Sequence, residues 1–128
     1  MGADMTDQTT YGRLAEHFPT EAHKTLQARG GQTYVPWNLV ADRLNTVLTI
    51  TGWSFEIIRE GFTQNEAWVL GRLTATIDGE TTFRDQYGCA DIMLGQSPNT
   101  DLLKKAGTDA LKKCAQVFGV ALYLTDAE

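Results

Sequence analysis

Two runs of alternating residues, joined by a two-residue turn, constrain the fold of this chain more than any other feature. Residues 66–77 alternate between small or apolar side chains and more polar ones, which is the pattern of a strand with one buried face. Asp78-Gly79 follows, and this dipeptide favours a tight hairpin turn because both residues tolerate positive φ angles. Alternation resumes over residues 80–90. We therefore predict two antiparallel strands in this part of the chain.

A third strand and a helix are predicted before this hairpin. Trp53, Phe55 and Ile57 lie on one side of a period-two pattern, so a strand begins there and completes an antiparallel three-stranded meander. Upstream, Pro36 suits the first turn of a helix. Apolar residues then recur at helical spacing and predict one buried helix face, made of Trp37, Val40, Ala41, Leu44, Val47 and Leu48.

The last long helix is predicted from about residue 101 to residue 118. Thr100 can cap its start, and Gly119 favours its end. One side of this helix is apolar, and the polar side carries Lys104, Lys105, Thr108, Asp109, Lys112, Lys113 and Gln116. The predicted fold class is therefore α+β, with the three-stranded antiparallel meander packed on a long C-terminal helix and another helix before the meander.

The N-terminal part of the chain differs from the rest, because residues 1–33 hold few apolar side chains. We predict a peripheral segment over 1–33, whose short helices on either side of Pro19 dock onto the remainder, and one domain over 34–128. No apolar run approaches the roughly 20 residues that span a bilayer. The start of the chain also lacks a cationic region followed by an apolar one, so we expect a cytoplasmic protein.

Composition and short motifs argue against several functions. The 11 basic and 16 acidic residues give a net charge of −5, which argues against a protein that coats nucleic acid with its whole surface. Cys89 and Cys114 lack the spacing of a zinc or redox motif and are predicted to be buried, whereas His17 and His23 are predicted at the surface. No phosphate-binding loop, nucleophile elbow or paired-carboxylate pattern occurs. We therefore expect no enzyme activity, no cofactor and no metal.

A basic strip on the last helix is the main candidate binding site. The polar side of this helix has a local charge of +2. It carries four lysines, Lys104, Lys105, Lys112 and Lys113, and two carboxylates, Asp101 and Asp109. Lys105 and Lys112 are two turns apart, or about 10 Å, which suits a charged backbone that crosses the helix. The alternative is that these lysines are only the solvated face of the helix.

Arg72 and Arg84 are further candidates on the predicted sheet. We place both on the face opposite the core, close in sequence to Trp68 and Tyr87. Guanidinium groups beside aromatic rings can hold phosphates while the rings stack on bases. The alternative is a cross-strand ion pair on a solvated sheet face, with Glu80 or Asp85 as the partner.

Four stretches of the chain carry a resemblance to a known family. The most specific is residues 108–119, which have the form T-D-x-L-K-[KR]-x-x-x-x-F-G after a meander. The others are Tyr34-Val35 with the helix that leads to Gly52-Trp53, the Asp78-Gly79 hairpin, and Asp85-Gln86-Tyr87-Gly88. In these stretches the chain resembles the annealing domain of the Rad-fifty-two family of recombination proteins and, among bacterial relatives, the DNA damage response protein A group.

This resemblance implies a β-β-β-α domain that assembles into a ring and holds single-stranded DNA in a positively lined groove at the foot of the last helix. In that family the paired basic residues before F-G line the groove, and they correspond to Lys112 and Lys113 here. A further basic residue of the family falls at Gln116. Another falls near Leu39, and Arg43, one turn later, is a candidate replacement.

From these observations we predict non-catalytic binding of single-stranded DNA in double-strand-break repair and recombination. The protein would act as a nucleoid-associated homo-oligomeric ring that protects 3′ ends or promotes strand annealing. Lys112 and Lys113 are the first candidate contacts, and the others are Lys104, Lys105, Arg72, Arg84 and Arg43. Two alternatives stay open: a helix-backed sheet that binds a small molecule or a peptide, and a purely structural oligomer.

Overall fold

The fold is α+β, and the structure, a computed structural model, describes residues 8–26 and 31–125. In chain order the elements are α1 (Thr10–Ala15), a 3-10 turn (Thr20–Ala22), β1 (Lys24–Leu26), β2 (Gln32–Tyr34), α2 (Trp37–Leu48), β3 (Trp53–Phe62), β4 (Glu66–Ile77), β5 (Glu80–Asp91), α3 (Thr100–Val117) and a final 3-10 turn (Leu122–Thr125). The predicted meander and its two long helices are all present.

Strands β3, β4 and β5 form an antiparallel sheet in that order, as predicted. The hairpin between β4 and β5 turns at Asp78 and Gly79, whose φ angles of 52° and 85° are both positive, as a type I′ turn requires. A bulge between Ile57 and Arg59 shifts the register between β3 and β4. Alternate residues of β4 are buried, so one face of the sheet carries the core.

Helix α3 covers this face, and small residues let it approach β5 closely. A Cβ atom at Gly88 would lie 2.3 Å from both the Ala106 carbonyl oxygen and the Ala110 nitrogen, so only glycine fits between strand and helix. After α3 the chain bends at Gly119, where φ is +106°. The buried side chains between sheet and helix are Ala67, Val69, Leu73, Ala75, Leu102, Ala106, Ala110, Leu111 and Cys114.

The N-terminal segment docks onto α2 through buried side chains and one arginine. Leu14 and Phe18 are buried in the main core. The Nη1 atom of Arg43, on α2, lies 3.4, 3.0 and 2.7 Å from the carbonyl oxygens of Arg13, Leu14 and Glu16. Its guanidinium carbon also lies 4.0 Å from the centre of the Phe18 ring. Arg43 therefore fastens the end of α1 to the domain.

Replacing Arg43 with methionine is expected to destabilise the protein while leaving the aliphatic part of the side chain in place. The carbonyls at the end of α1 lose a charged donor, which should lower the free energy of unfolding by roughly 1–3 kcal/mol. Chemical denaturation measures the change, with Arg13→Met as the control because that side chain is exposed. Equal stability of the Arg43 variant and the wild type would contradict this role.

Three local predictions are wrong. Trp37 is 52% exposed, because it lies in the first turn of α2, ahead of the buried residues that begin at Val40. The N-cap of α3 is Asn99, whose side-chain oxygen accepts the Leu102 amide hydrogen at 3.1 Å, and Thr100 is the first helical residue. Cys89 is exposed, because it pairs with Trp68 on the sheet face that α3 does not cover.

Candidate nucleic-acid interface

A groove of about 650 Å³ lies against the polar face of α3. Its opposite wall comes from β2 and the residue after it, and the chain beyond Gly119 closes one end. We call it the lysine groove. The lining residues on which the following argument depends are Leu26, Tyr34, Val35, Cys89, Lys105, Asp109, Lys112, Lys113, Gln116 and Leu124.

The lysine groove brings together three of the four lysines of the predicted basic strip. Lys105, Lys112 and Lys113 line it, whereas Lys104 is exposed and outside its lining. One carboxylate, Asp109, stands among them and forms an ion pair with Lys113 at 3.0 Å. The groove is therefore locally basic within an acidic chain, and Lys105 and Lys112, which are two helical turns apart, both line it.

Asp109 connects the helix to the edge of the sheet as well as to a lysine. Its Oδ2 accepts the Cys89 amide hydrogen at 3.0 Å, and the same oxygen lies 3.0 Å from the Lys113 Nζ. This single carboxylate therefore fixes both the position of the β5 edge against α3 and the direction of the Lys113 side chain.

Lys112 has different surroundings from its neighbours. Its side chain is half-buried, and its Nζ lies 4.9 Å from the centre of the Tyr34 ring, within reach of a cation–π contact. Burial lowers the pKa of the Lys112 ammonium below its ordinary value, and the nearby Asp109 charge opposes this only in part. Lys112 therefore holds its half-buried ammonium group against an aromatic ring in the groove.

The hairpin wall of the groove was not predicted from the sequence. Strands β1 and β2 pair antiparallel over three residues each, with Lys24 opposite Tyr34. This pairing places the Tyr34 ring beside α3. The available signal was the Gly30-Gly31 pair between two short polar runs; Gly31 has a φ of +82°, which suits a hairpin end.

Arg72 lies on the opposite face of the sheet and already has a partner. Its Nε and Nη2 donate to the two carboxylate oxygens of Asp85 at 2.8 and 3.0 Å, and its guanidinium carbon lies 4.1 Å from the Phe83 ring centre. The alternative of a cross-strand ion pair is thus confirmed for Arg72.

The contribution of the Arg72–Asp85 pair to stability is expected to depend on pH. The hydrogen bond from Arg72 lowers the pKa of the Asp85 carboxyl, so the pair contributes stability above the ordinary aspartate range and loses it as the pH falls through the lowered value. In an Arg72→Gln variant the pKa of Asp85 should return upward toward its ordinary value. A carboxyl NMR titration measures this, and an unchanged Asp85 titration would count against the pair in solution.

The predicted position of Arg84 is wrong. Arg84 is opposite Leu73, a buried residue of β4, so it lies on the helix side of the sheet and not beside Arg72. Its Nη1 donates to the Phe83 carbonyl at 2.8 Å and to the Thr82 hydroxyl at 3.0 Å, and its guanidinium carbon is 5.2 Å from the Phe118 ring centre. Neither Arg72, Arg84 nor Arg43 lines the lysine groove.

The cysteines and histidines form no metal site. Cys114 is on the buried face of α3, as predicted, and His17 is exposed and stacks on Tyr123 with ring centres 3.8 Å apart. His23 is partly buried, and its Nε2 is 2.7 Å from the Tyr123 hydroxyl oxygen. Within residues 8–26 and 31–125, no three His, Cys, Asp or Glu side chains cluster as metal ligands would, and no helix is long and apolar enough to cross a membrane.

Sequence comparison assigns the chain to a known protein family. The profile of the Rad52/22 family double-strand break repair proteins matches residues 7–128. The chain belongs to the Rad52/22 family. The Rad52/22 match confirms the resemblance seen in the motifs, and it begins well before Tyr34, the first residue of those motifs.

One relative with a curated description extends this result. The single-stranded DNA-binding protein DdrA of Deinococcus deserti is 37% identical over an alignment of 89 residues that covers 68% of this chain. The matched part spans 38% of the length of that relative, so this Rad52/22 chain corresponds to less than half of it.

Proposed function

We propose that this chain binds single-stranded DNA in the lysine groove, without catalysis, in the repair of double-strand breaks. The observation that carries the proposal is the meeting of Lys105, Lys112 and Lys113 with the Tyr34 ring in one groove. Cations can neutralise phosphates while an aromatic ring stacks on a base, and this combination is typical of single-strand binding. The DdrA relative is a single-stranded DNA-binding protein and the family is one of double-strand break repair, which supports the same class of ligand.

The charge distribution favours contact at the groove alone. Each lysine that meets a phosphate releases counterions, which gives affinity without sequence preference and a steep dependence on salt. The rest of an acidic chain, at −5 overall, repels the strand and so confines it to the groove. Lys112 and Lys113 are the central contacts in this proposal, Lys105 extends them along the helix, and Lys104 flanks them.

In a ring, the lysine grooves of neighbouring copies would together form a long binding surface for one strand. Two exposed strand edges, β3 and β5, are available for pairing between copies in this proposal. On the outer sheet face Tyr87 is 62% exposed, and the Trp68 ring lies 6.0 Å from it, so an apolar surface adjoins the β5 edge. Repeated sites on one strand raise the overall affinity. Such a nucleoid-associated ring would protect 3′ ends or promote annealing.

Fluorescence anisotropy and mass photometry test the proposal together. A labelled single strand should bind more tightly than a duplex of the same length, with affinity that falls steeply as salt rises. Mass photometry should show a closed oligomer with and without DNA. A monomer that ignores DNA would favour the small-molecule or peptide alternative, and a ring that ignores DNA would favour the structural oligomer. Exonuclease protection and strand-annealing assays then separate the two activities.

A further inference from the structure

Tyr123 joins the turn that follows α3 to the segment that precedes β1. Its hydroxyl oxygen accepts the Phe18 amide hydrogen at 3.0 Å and lies 2.7 Å from the His23 Nε2. The His17 ring stacks on the Tyr123 ring, with centres 3.8 Å apart. Three residues of the N-terminal segment therefore hold one side chain of the C-terminal turn.

The partners of the Tyr123 hydroxyl require it to donate one hydrogen bond and accept another. An amide such as that of Phe18 can only donate, so the hydroxyl oxygen accepts from it. The His23 Nδ1 lies 3.2 Å from the Thr20 carbonyl oxygen, which can only accept, so this nitrogen carries a hydrogen. In the neutral ring, Nε2 is then an acceptor, and the Tyr123 hydroxyl donates to it. A phenyl ring in place of Tyr123 would break both bonds.

The turn that contains Tyr123 closes the lysine groove. Leu124 and Thr125 follow Tyr123 directly and line the groove, whereas Tyr123 is not a lining residue. Tyr123 can therefore affect a bound strand only by positioning its neighbours.

The other side of this junction leads into the hairpin wall of the groove. His23 is followed directly by Lys24, the first residue of β1, and Lys24 pairs with Tyr34 of β2. A two-stranded hairpin is marginally stable by itself in water, so its place depends on attachments at its ends. A shift of His23 would therefore move β1 and, through the pairing, the Tyr34 ring beside Lys112.

We propose that Tyr123 is a positioning residue for the binding of single-stranded DNA, because its hydroxyl holds the hairpin wall and the closed end of the lysine groove together. This inference rests on the proposed function, since the groove must first bind the strand. The lysines belong to α3 and keep their phosphate contacts without the hydroxyl. What the hydroxyl fixes is the space between the Tyr34 ring and the closed end, which a stacked base would occupy. The affinity should therefore depend on the hydroxyl, and its salt dependence should not.

The variant Tyr123→Phe tests this inference, because it removes the hydroxyl and keeps the ring that stacks on His17. We expect the affinity of the full chain for a labelled single strand, measured by fluorescence anisotropy, to fall roughly three- to tenfold. The slope of log affinity against log salt should keep its wild-type value, because no phosphate contact is lost. Tyr11→Phe is the matched control and should bind as the wild type does, since Tyr11 belongs to the same N-terminal segment and is exposed.

Variants of His23 test the same hydrogen bond from its other side. His23→Leu removes the acceptor and should weaken binding, and adding it to Tyr123→Phe should cause little further loss, because both changes break one bond. His23→Gln keeps a side-chain oxygen that can accept the hydroxyl hydrogen, so it should retain more of the affinity than His23→Leu. Thermal unfolding is followed for every variant, and binding is measured where all are folded. A purely structural role of Tyr123 would lower the Tm without lowering this affinity.

The outcomes separate the positioning role from the proposed function. Wild-type affinity in Tyr123→Phe, a shallower salt slope, or equal losses in the two His23 variants would overturn the positioning role and leave the proposed function in place. A weakened Tyr123→Phe variant whose oligomeric mass differs from that of the wild type would overturn it too, because the loss would come from assembly. Absence of binding by the wild-type chain would overturn the proposed function itself.

Discussion

Single-stranded DNA affinity is expected to fall roughly ten- to hundredfold when Lys112 and Lys113 are both replaced by alanine. Both side chains line the groove, so the variant removes two phosphate contacts. At about 0.7 counterions per phosphate on a single strand, the slope of log affinity against log salt should become shallower by about 1.4. Anisotropy titrations at several salt concentrations measure both quantities.

A variant of equal net charge controls for the general effect of charge. Arg13→Ala with Arg59→Ala also removes two positive charges, and both of these arginines are exposed and outside the groove. This control should keep the wild-type slope, because no phosphate contact is lost. If it weakens binding as much as the lysine variant, the effect comes from net charge and the groove is not the site.

Gly88→Ala should destabilise the fold strongly. The new Cβ would lie 2.3 Å from two backbone atoms of α3, and backbone cannot move aside as the end of a side chain can. Overpacking of this kind should lower the free energy of unfolding by roughly 3 kcal/mol or more and the Tm by on the order of 10 °C. Because α3 carries the lysines, DNA binding should weaken as well.

The same substitution on the helix provides the control for Gly88. A Cβ at Gly107 would lie 3.7 Å from the Ile57 Cδ1, which is an ordinary contact. Alanine also favours helix over glycine by up to about 1 kcal/mol, so Gly107→Ala should be neutral or stabilising. Thermal unfolding compares the two variants. Similar Tm values for both would show that the strand and the helix are not as close as the structure places them.

The elements that could be predicted are those in which one periodicity dominates. Strand β4 alternates strictly because one face is buried under α3, and Asp78-Gly79 fixes the turn that follows it. The polar face of α3 was predicted because a long amphipathic helix repeats its pattern over several turns. The same pattern predicted that Lys104, Lys105, Lys112 and Lys113 share one helix face, and three of these four lysines line the lysine groove.

Strand β5 shows why the face of Arg84 could not be predicted. Hydrophobicity is reversed on this strand, since the exposed residues include Phe83 and Tyr87 while Gly88 lies under the helix. Close approach of α3 selects for small size and not for apolar character, so an alternating pattern gives the period but not the buried side. The prediction then put Arg84 on the wrong face.

The β1–β2 hairpin and the role of Arg43 could not be predicted, the first because its strands are short and the second because its contacts are distant in the chain. Strands β1 and β2 have three residues each and are mostly exposed, so they leave too short a pattern for the hairpin to be recognised. The role of Arg43 depends on where the carbonyls of α1 end, about 30 residues away in the chain, and helical periodicity carries no such information.

The two bonds of Asp109 link the charge of the groove to the state of the sheet edge. A neighbouring strand that pairs with β5 as far as Cys89 has to take the amide hydrogen that Asp109 now accepts. Asp109 would then no longer be held by the Cys89 amide, and its ion pair with Lys113 could change. The electrostatic potential in the groove, which a phosphate would meet, would change with it. Strand addition and DNA binding would then be coupled by one free energy. If strand addition strengthened DNA binding, DNA binding would strengthen strand addition by the same factor. Assembly state would thus set how firmly each copy holds DNA.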